Sequence, residues 1–233
     1  MAKRVLITGG AKRIGGHLAL ALAKAGWDVV INYNHSEKEA LSLKEKIERL
    51  GRNAQLIQGD LANPSNLASI IDHAGPITAL INNASIFEDI EWDEVTIDDW
   101  DRHVAVNLTA PFFLSQRFAQ NLSGEGRIIN FLDWRATRPG KDHLPYTITK
   151  GALAAVTKSL AQSLGPRITV NALAFGAILK PSDGGDTSTV LDYVPLGRWA
   201  DLDEVTESVR FLLEGPSYIT GEIIHLDGGR HLV

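Results

Sequence analysis

The sequence predicts an α/β fold in which one parallel sheet is wound on both faces by helices. Three observations carry that prediction: strand-like and helix-like runs alternate from end to end, the composition can fill a single core, and a glycine-rich turn joins the first strand to the first helix. The 233 residues, 44% hydrophobic and 22% charged, suffice for a sizeable core and are most simply one domain, 1–233. No apolar run approaches a membrane span, and Met1-Ala2-Lys3-Arg4 leads straight into a strand rather than an apolar leader. With no cysteine there is no disulfide, thiolate metal site or cysteine nucleophile, which fits a reducing cytoplasm. No metal site is expected. A net charge of −5 with interspersed signs argues against nucleic acid or an anionic membrane as partner, leaving a small molecule.

Taken in order, Arg4–Thr8 is a buried-strand run, and Ile14, Leu18, Ala21, Leu22 and Ala25 recur at helical spacing before Gly26 ends the helix. Between them lies Thr8-Gly9-Gly10-Ala11-Lys12-Arg13-Ile14-Gly15. Such a turn leaves backbone N–H groups and a positive helix end free for a pyrophosphate; a tight turn needing glycines for sterics explains it equally well. The second strand, Asp28–Tyr33, runs into Asn34, His35 and Ser36, with no carboxylate at its end to bind the ribose 2′-hydroxyl of NAD. Lys12, Arg13, His35 and Ser36 can all donate to a phosphate, so NADP is the expected cofactor. Ser36-Glu37-Lys38-Glu39 also reads as a capping box opening a helix to Leu50.

Ala54–Gln58 is a third strand ending in Gly59-Asp60-Leu61, where Asp60 either accepts from an adenine amino group or forms a turn. Asn63-Pro64 opens a helix to about Ala74. The fourth strand, Ala79–Ile81, meets Asn82-Asn83-Ala84-Ser85, small and amide residues that let a ligand approach the backbone. Phe87 and Trp92 follow in an acidic loop, as a platform for a flat ring or as a small hydrophobic cluster. Thr96-Ile97-Asp98-Asp99 starts a long helix to about Leu122, within which Pro111 deprives the Asn107 carbonyl of its partner. That carbonyl is a water site relaying protons towards Lys150, or the proline simply kinks the helix. Arg127–Leu132 is the fifth strand and delivers Asp133 to the carboxyl edge of the sheet, where ligands bind in such folds.

Tyr146 and Lys150 are four residues apart on a helix running on through Val156, which stacks them on one face. An ammonium that close to a phenol favours phenolate and brings the tyrosine nearer neutrality; the alternative is a tyrosine packed beside a surface lysine. Arg167–Leu173 is a sixth strand, and 174–200 is a Gly-, Pro-, Ser- and Asp-rich stretch long enough for a substrate lid. Asp201–Glu204 caps a helix to Leu213, Gly215-Pro216 stops it, and Glu222–Leu226 is a last strand before Asp227-Gly228-Gly229.

Thr8-Gly9 with Ile14-Gly15, Asp60-Leu61, Asn82-Asn83-Ala84, Asn107, Tyr146-x-x-x-Lys150 and Asp227-Gly228-Gly229 occur in the order found in the short-chain dehydrogenases/reductases, which the chain resembles over essentially its whole length. The resemblance implies a Rossmann fold with a parallel seven-stranded sheet. It implies cofactor contacts from Gly9, Arg13, Ile14 and Gly15, from His35 and Ser36, and from Asp60 and Leu61 at the adenine. Further contacts are implied from Asn83, Ala84, Gly176 and Ile178, and from Tyr146 and Lys150. Tyr146 would donate the proton, Lys150 would hold the nicotinamide ribose and lower the tyrosine pKa, and Asn107 would sustain a water relay to Lys150. A homotetramer is implied, with the helices from Thr96 and Tyr146 at an interface.

Two departures narrow the resemblance. Asp133 stands thirteen positions before the tyrosine, where most of the family has serine, and Arg13 replaces the glycine common before Ile-Gly. With Asn83-Ala84-Ser85-x-Phe87 and Asn107-x-x-x-Pro111 they resemble the pteridine reductase branch, which implies substrate contacts from Arg13, Phe87, Asp133 and Tyr146. Against it, His35 stands where arginine is common and Phe175-Gly176 replaces Pro-Gly.

Asp133 also has a reading independent of the family. Hydride transfer to a ketone builds negative charge on oxygen, which a nearby carboxylate opposes by several kcal/mol, whereas transfer to C=N proceeds through an iminium cation that it stabilises. A turn cap is the plain alternative for Asp133. The expected activity is NADPH-dependent reduction of a C=N bond in a pteridine, dihydropterin or dihydrofolate type substrate. A carbonyl reductase of sugars, steroids or 3-oxoacyl thioesters is the alternative. A non-catalytic NADP-binding sensor is a third reading, opposed by the set Asn107, Tyr146 and Lys150.

Overall fold

The computed structural model of the chain describes residues 3–180 and 187–233. Seven strands form one parallel sheet: β1 (Arg4–Ile7), β2 (Asp28–Tyr33), β3 (Ala54–Gln58), β4 (Ala79–Asn82), β5 (Gly126–Asp133), β6 (Ile168–Phe175) and β7 (Ile223–Leu226), in the order β3-β2-β1-β4-β5-β6-β7. The inner strands are buried on both faces, which is why they read as continuous apolar runs rather than alternating ones. Ile7 sits in register with Ile31 on one side and Ile81 on the other. The order reverses between β1 and β4, and that switch point opens a crevice beyond the carboxyl ends of the strands.

On one face of the sheet, α1 (Arg13–Lys24), α2 (Glu37–Arg49) and α7 (Leu202–Glu214) bury Leu18, Leu22, Leu43, Ile47 and Val209. On the other, α3 (Pro64–Ala74), α5 (Ala110–Asn121) and α6 (Leu144–Leu164) bury Ile70, Leu114, Phe118 and Leu160. A buried polar chain pins this second layer just below the site. Asn82 donates to Asn130 at 2.8 Å and Asn130 donates to Thr157 of α6 at 2.9 Å. Such bonds are satisfied only in one register, so they fix how α6 sits on β5.

Three local expectations change. Ser36 occupies the N-cap of α2 but its side chain makes no cap bond, because its ψ of 51° is not the extended conformation a capping serine needs. A complete capping box forms instead at Thr96/Asp99, and at the start of α7 Glu204 accepts from the Asp201 N–H at 2.8 Å. The long helix from Thr96 is not continuous: α4 (Ile97–Val104) passes through a π-helical turn at Ala105–Thr109 into α5, where Pro111 cannot donate back to Asn107. The stretch 174–200 begins as strand, because Ala174 and Phe175 extend β6, and Val190–Tyr193 forms a 3-10 turn. Part of the expected lid, 181–186, lies outside the described residues. No helix among the described residues is long and apolar enough to cross a membrane.

Past β6 the backbone passes so close to the turn after β7 that a Cβ on Gly176 would meet the Asp227 Cα at 2.7 Å. Asp227 is buried and organises that turn, accepting from the backbone N–H groups of Gly229 and His231. Gly151, inside α6, would meet only the Ala136 carbonyl, at 3.9 Å. Gly176→Ala is therefore expected to cost about 1–3 kcal/mol through overpacking, while Gly151→Ala stabilises by roughly 0.5–1 kcal/mol. Chemical denaturation of the two variants checks the opposed signs.

Candidate active site

The ends of four strands and the start of α6 deliver the site. Asp133 is the last residue of β5, Phe87 follows β4, Gly176 and Ile178 follow β6, and Arg230 follows β7. With Arg13 from the start of α1 and Tyr146 from α6 they line one cavity of about 500 Å³. Tyr146 donates its hydroxyl to Asp133 Oδ2 at 3.3 Å. Lys150 Nζ donates to the Phe131 carbonyl at 2.7 Å and lies 5.6 Å from the Tyr146 ring centroid. Phe87 stands edge-on to Tyr146 at 4.7 Å and against His143 at 4.0 Å, yet stays 49% exposed, with much of its surface uncovered by protein. Trp92, the other aromatic of that loop, is not among the residues lining the cavity.

The electrostatics run against the expectation that Lys150 brings the tyrosine towards neutrality. Burial, and then the charge of Asp133, raise the Tyr146 pKa well above its ordinary value. Burial lowers Lys150 to about 8, so its charge is itself destabilised. Burial also raises Asp133, against the pull of Arg135, its backbone N–H, Lys150 and Tyr146. The physical reason is proximity: the carboxylate bonds the phenol directly, whereas the ammonium bonds a carbonyl. Tyr146 consequently holds its proton at neutral pH, as a donor requires.

Asn107 is fully buried, and its side chain is committed elsewhere than to Lys150. Its amide donates to the Ile86 carbonyl at 3.0 Å and to Thr149 Oγ1 at 3.3 Å. Its carbonyl oxygen accepts from the Ile86 N–H at 2.9 Å and the Ser85 hydroxyl at 3.1 Å. The side chain thus ties the Phe87 loop to α6, and any relay to Lys150 has only the backbone carbonyl to run through.

The glycine turn fits a dinucleotide. A Cβ on Gly15 would meet Asn83 Nδ2 and the Gly9 carbonyl, each at 2.7 Å, so only glycine keeps this backbone open. Thr8 Oγ1 accepts from the N–H groups of Asn83 and Ala84, both at 3.0 Å, which locks the turn to the β4 loop. Ile14 lines the cavity. Arg13, at a left-handed φ of 53°, donates to the Lys180 carbonyl at 3.1 Å. Its neighbours Lys12, Lys38 and Lys46 line a groove between α1 and α2, a basic surface suited to an extra phosphate. His35 is exposed beside Ser36 at the end of β2. Asp60 accepts from the Ala62 N–H at 2.9 Å, as a turn-former does, and the Leu61 side chain packs in the core. Among the described residues no cluster could hold a metal ion.

Sequence reasoning missed two arginines. Arg135, only 8% exposed, donates its backbone N–H to Asp133 at 2.9 Å and its guanidinium to Asp142 at 2.6 Å. Arg230 lines the same cavity from the far end of the chain. Their positions, two after Asp133 and directly after Gly228-Gly229, were the available signals.

A family model described as Enoyl-(Acyl carrier protein) reductase matches residues 9–231. The chain is 35% identical to an L-xylulose reductase of Caenorhabditis elegans, over 97% of this chain and 95% of that one. It is 32% identical to a 3-oxoacyl-[acyl-carrier-protein] reductase of Synechocystis sp., over 98% and 96%. Among solved structures it superposes on FolM Alternative dihydrofolate reductase 1 from Brucella canis, complexed with NADP, with a TM-score of 0.91 and 36% identity over 99% of this chain and 95% of that one. A blue fluorescent protein from a metagenomic library, in complex with NADPH, gives a TM-score of 0.93 at 32% identity, over 98% and 97%. The chain belongs to the short-chain dehydrogenase/reductase family and is an NADP-dependent oxidoreductase.

Proposed function

We propose that this chain is an NADPH-dependent reductase acting on a C=N bond of a pteridine, dihydropterin or dihydrofolate type substrate. One observation carries the reading: Asp133 Oδ2 lies 3.3 Å from the proton-donating hydroxyl of Tyr146, where a ketone would need its growing oxyanion stabilised. A carboxylate there favours a substrate atom that becomes positive. The half-exposed face of Phe87 suits a flat heteroaromatic ring, and Arg13 lines the same cavity. Similarity to the Brucella FolM structure supports the same choice.

In this reading the cofactor is held by the glycine turn (Gly9, Arg13, Ile14, Gly15), the basic groove with His35 and Ser36, and Asp60 and Leu61. Asn83, Ala84, Gly176, Ile178 and Lys150 complete the set. When bound, NADPH supplies a hydride to the carbon of C=N. Tyr146, kept protonated by burial and by Asp133, gives its hydroxyl proton to the C=N nitrogen and is reprotonated from solvent, while the Asp133 carboxylate stabilises the positive charge that protonation places on that nitrogen. Arg135 holds Asp133 from its other side, with 3.5 Å between guanidinium and Oδ1, and fixes the carboxylate towards Tyr146. Asn107 positions Phe87 through Ser85 and Ile86.

The second reading is a carbonyl reductase. It is favoured by the reductases of L-xylulose and 3-oxoacyl thioesters among the relatives, and by Arg135, whose charge offsets that of Asp133. We also propose a homotetramer paired through α4, α5 and α6, on which Ile97, Trp100, Phe113 and Ile148 are exposed; sedimentation velocity checks it.

NADPH oxidation against a panel of pterins, dihydropterins, dihydrofolate and ketones tests the reading in the wild type and in Asp133→Ser. Turnover of the C=N substrates, reduced about 100-fold or more by Asp133→Ser, is expected from the loss of roughly 3 kcal/mol of transition-state stabilisation. Turnover of ketones alone, kept or raised by Asp133→Ser, would establish the carbonyl reductase instead.

The pH dependence follows from Lys150. Below about pH 8 its ammonium is charged and donates to the cofactor's ribose; as pH rises through that value the charge is lost. The kcat/KM for NADPH is therefore expected to fall on the alkaline side around pH 8, and a profile flat well beyond it contradicts the assignment.

A further inference from the structure

Beyond the catalytic pair, the mouth of the cavity carries more positive charge than its protein partners use. A second hollow of about 520 Å³ adjoins the catalytic cavity, with Trp134, Arg135, Asp142 and Arg230 lining both. Arg138 and Lys141 stand on the outer wall of this hollow and are exposed. The guanidinium carbons of Arg135 and Arg230 lie 4.8 Å and 4.7 Å from the Trp134 ring centroid, bringing two like charges to one indole. Among the described residues no carboxylate lies within ion-pair distance of Arg230, Arg138 or Lys141. Asp142, the acid lining this hollow, is held by Arg135.

The Nε–H groups of Arg135 and Arg230 are buried and have no hydrogen-bond partner. A buried charged donor left unpaired is costly, and both arginines line the two adjoining hollows. Burial and the neighbouring Arg135 charge hold the Arg230 pKa below its ordinary value, which marks the same unmet demand for negative charge.

We propose that this mouth is an anion subsite, in which Arg135 and Arg230, with Arg138 and Lys141 at the rim, hold a carboxylate or phosphate carried on the substrate beyond its reducible ring. The inference deepens the pteridine reading: the ring part rests on that reading, and the anion part on the arginines alone. Guanidinium pairs oxygen anions through two N–H groups at once, so both sources share one chemistry.

The experiment compares three substrates with NADPH: a dihydropterin with a neutral hydroxylated side chain, the same compound phosphorylated on that side chain, and dihydrofolate, whose tail ends in carboxylates. The expected result is a kcat/KM about ten-fold or more higher for at least one anionic substrate than for the neutral one, and which one identifies the source. That ratio collapses towards one in Arg230→Gln and is largely kept in Arg230→Lys. A neutral substrate as good as both anionic ones overturns the subsite while leaving the pteridine reading intact. If no pterin turns over, the pteridine reading fails and the subsite is judged by calorimetry of 4-aminobenzoylglutamate against its diamide on the NADP-loaded protein. Tighter binding of the acid, lost in Arg230→Gln, sustains the anion subsite; equal binding overturns it.

Discussion

The site depends on a carboxylate and a phenol forced together at the end of β5. Asp133 accepts from Tyr146 in a place where burial disfavours charge on either, and both pKa values move up as a result. Burial is the larger influence on Asp133 and holds its carboxyl above the usual carboxylate range. Arg135 prevents a simple outcome by donating to it from the backbone and facing it with a guanidinium 3.5 Å away. The tyrosine keeps its proton, and the Asp133 carboxylate is the group placed to meet an incipient cation. A serine at position 133 would supply a hydrogen-bond donor and no charge, which is the opposite electrostatic request.

Holding that pair demands rigidity from elements well outside it. The Asn82, Asn130 and Thr157 bonds set α6 on the sheet, and α6 carries both Tyr146 and Lys150. The π-helical turn between α4 and α5 is a departure from regular helix that brings Asn107 against both the Phe87 loop and Thr149. Each of these buried polar groups is an expense unless its bonds are made, so their geometry is tightly specified. The same layer that packs the core therefore also aims the aromatic wall and the proton donor.

Much of this was legible in the sequence because the deciding signals are local. Strand runs bounded by Gly, Asn and Asp gave seven strands in the observed order of chain, and four-residue spacing put Tyr146 and Lys150 on one face of a helix. What was not legible depends on through-space neighbours. The upward shift of Tyr146 follows from its burial and then from its bond to Asp133, neither of which spacing along a helix can reveal. Ser36-x-x-Glu39 has the letters of a capping box, but the backbone of Ser36 is not extended, and the cap is lost. Arg230 is almost a hundred residues from Arg135 in sequence and meets the same indole only because β7 lies at the edge beyond β6 and β5.

The central claim is that Asp133 tunes the site for a cationic nitrogen. The most direct test is the absorbance spectrum of a 2,4-diaminopteridine bound to the NADP-loaded protein, titrated with pH in the wild type and in Asp133→Asn. The account predicts that the bound ring keeps the spectrum of its protonated form well above the pH at which the free compound loses its proton, and that Asp133→Asn abolishes this difference. A ring bound in its neutral form in the wild type, with an unchanged spectrum in the variant, would contradict it.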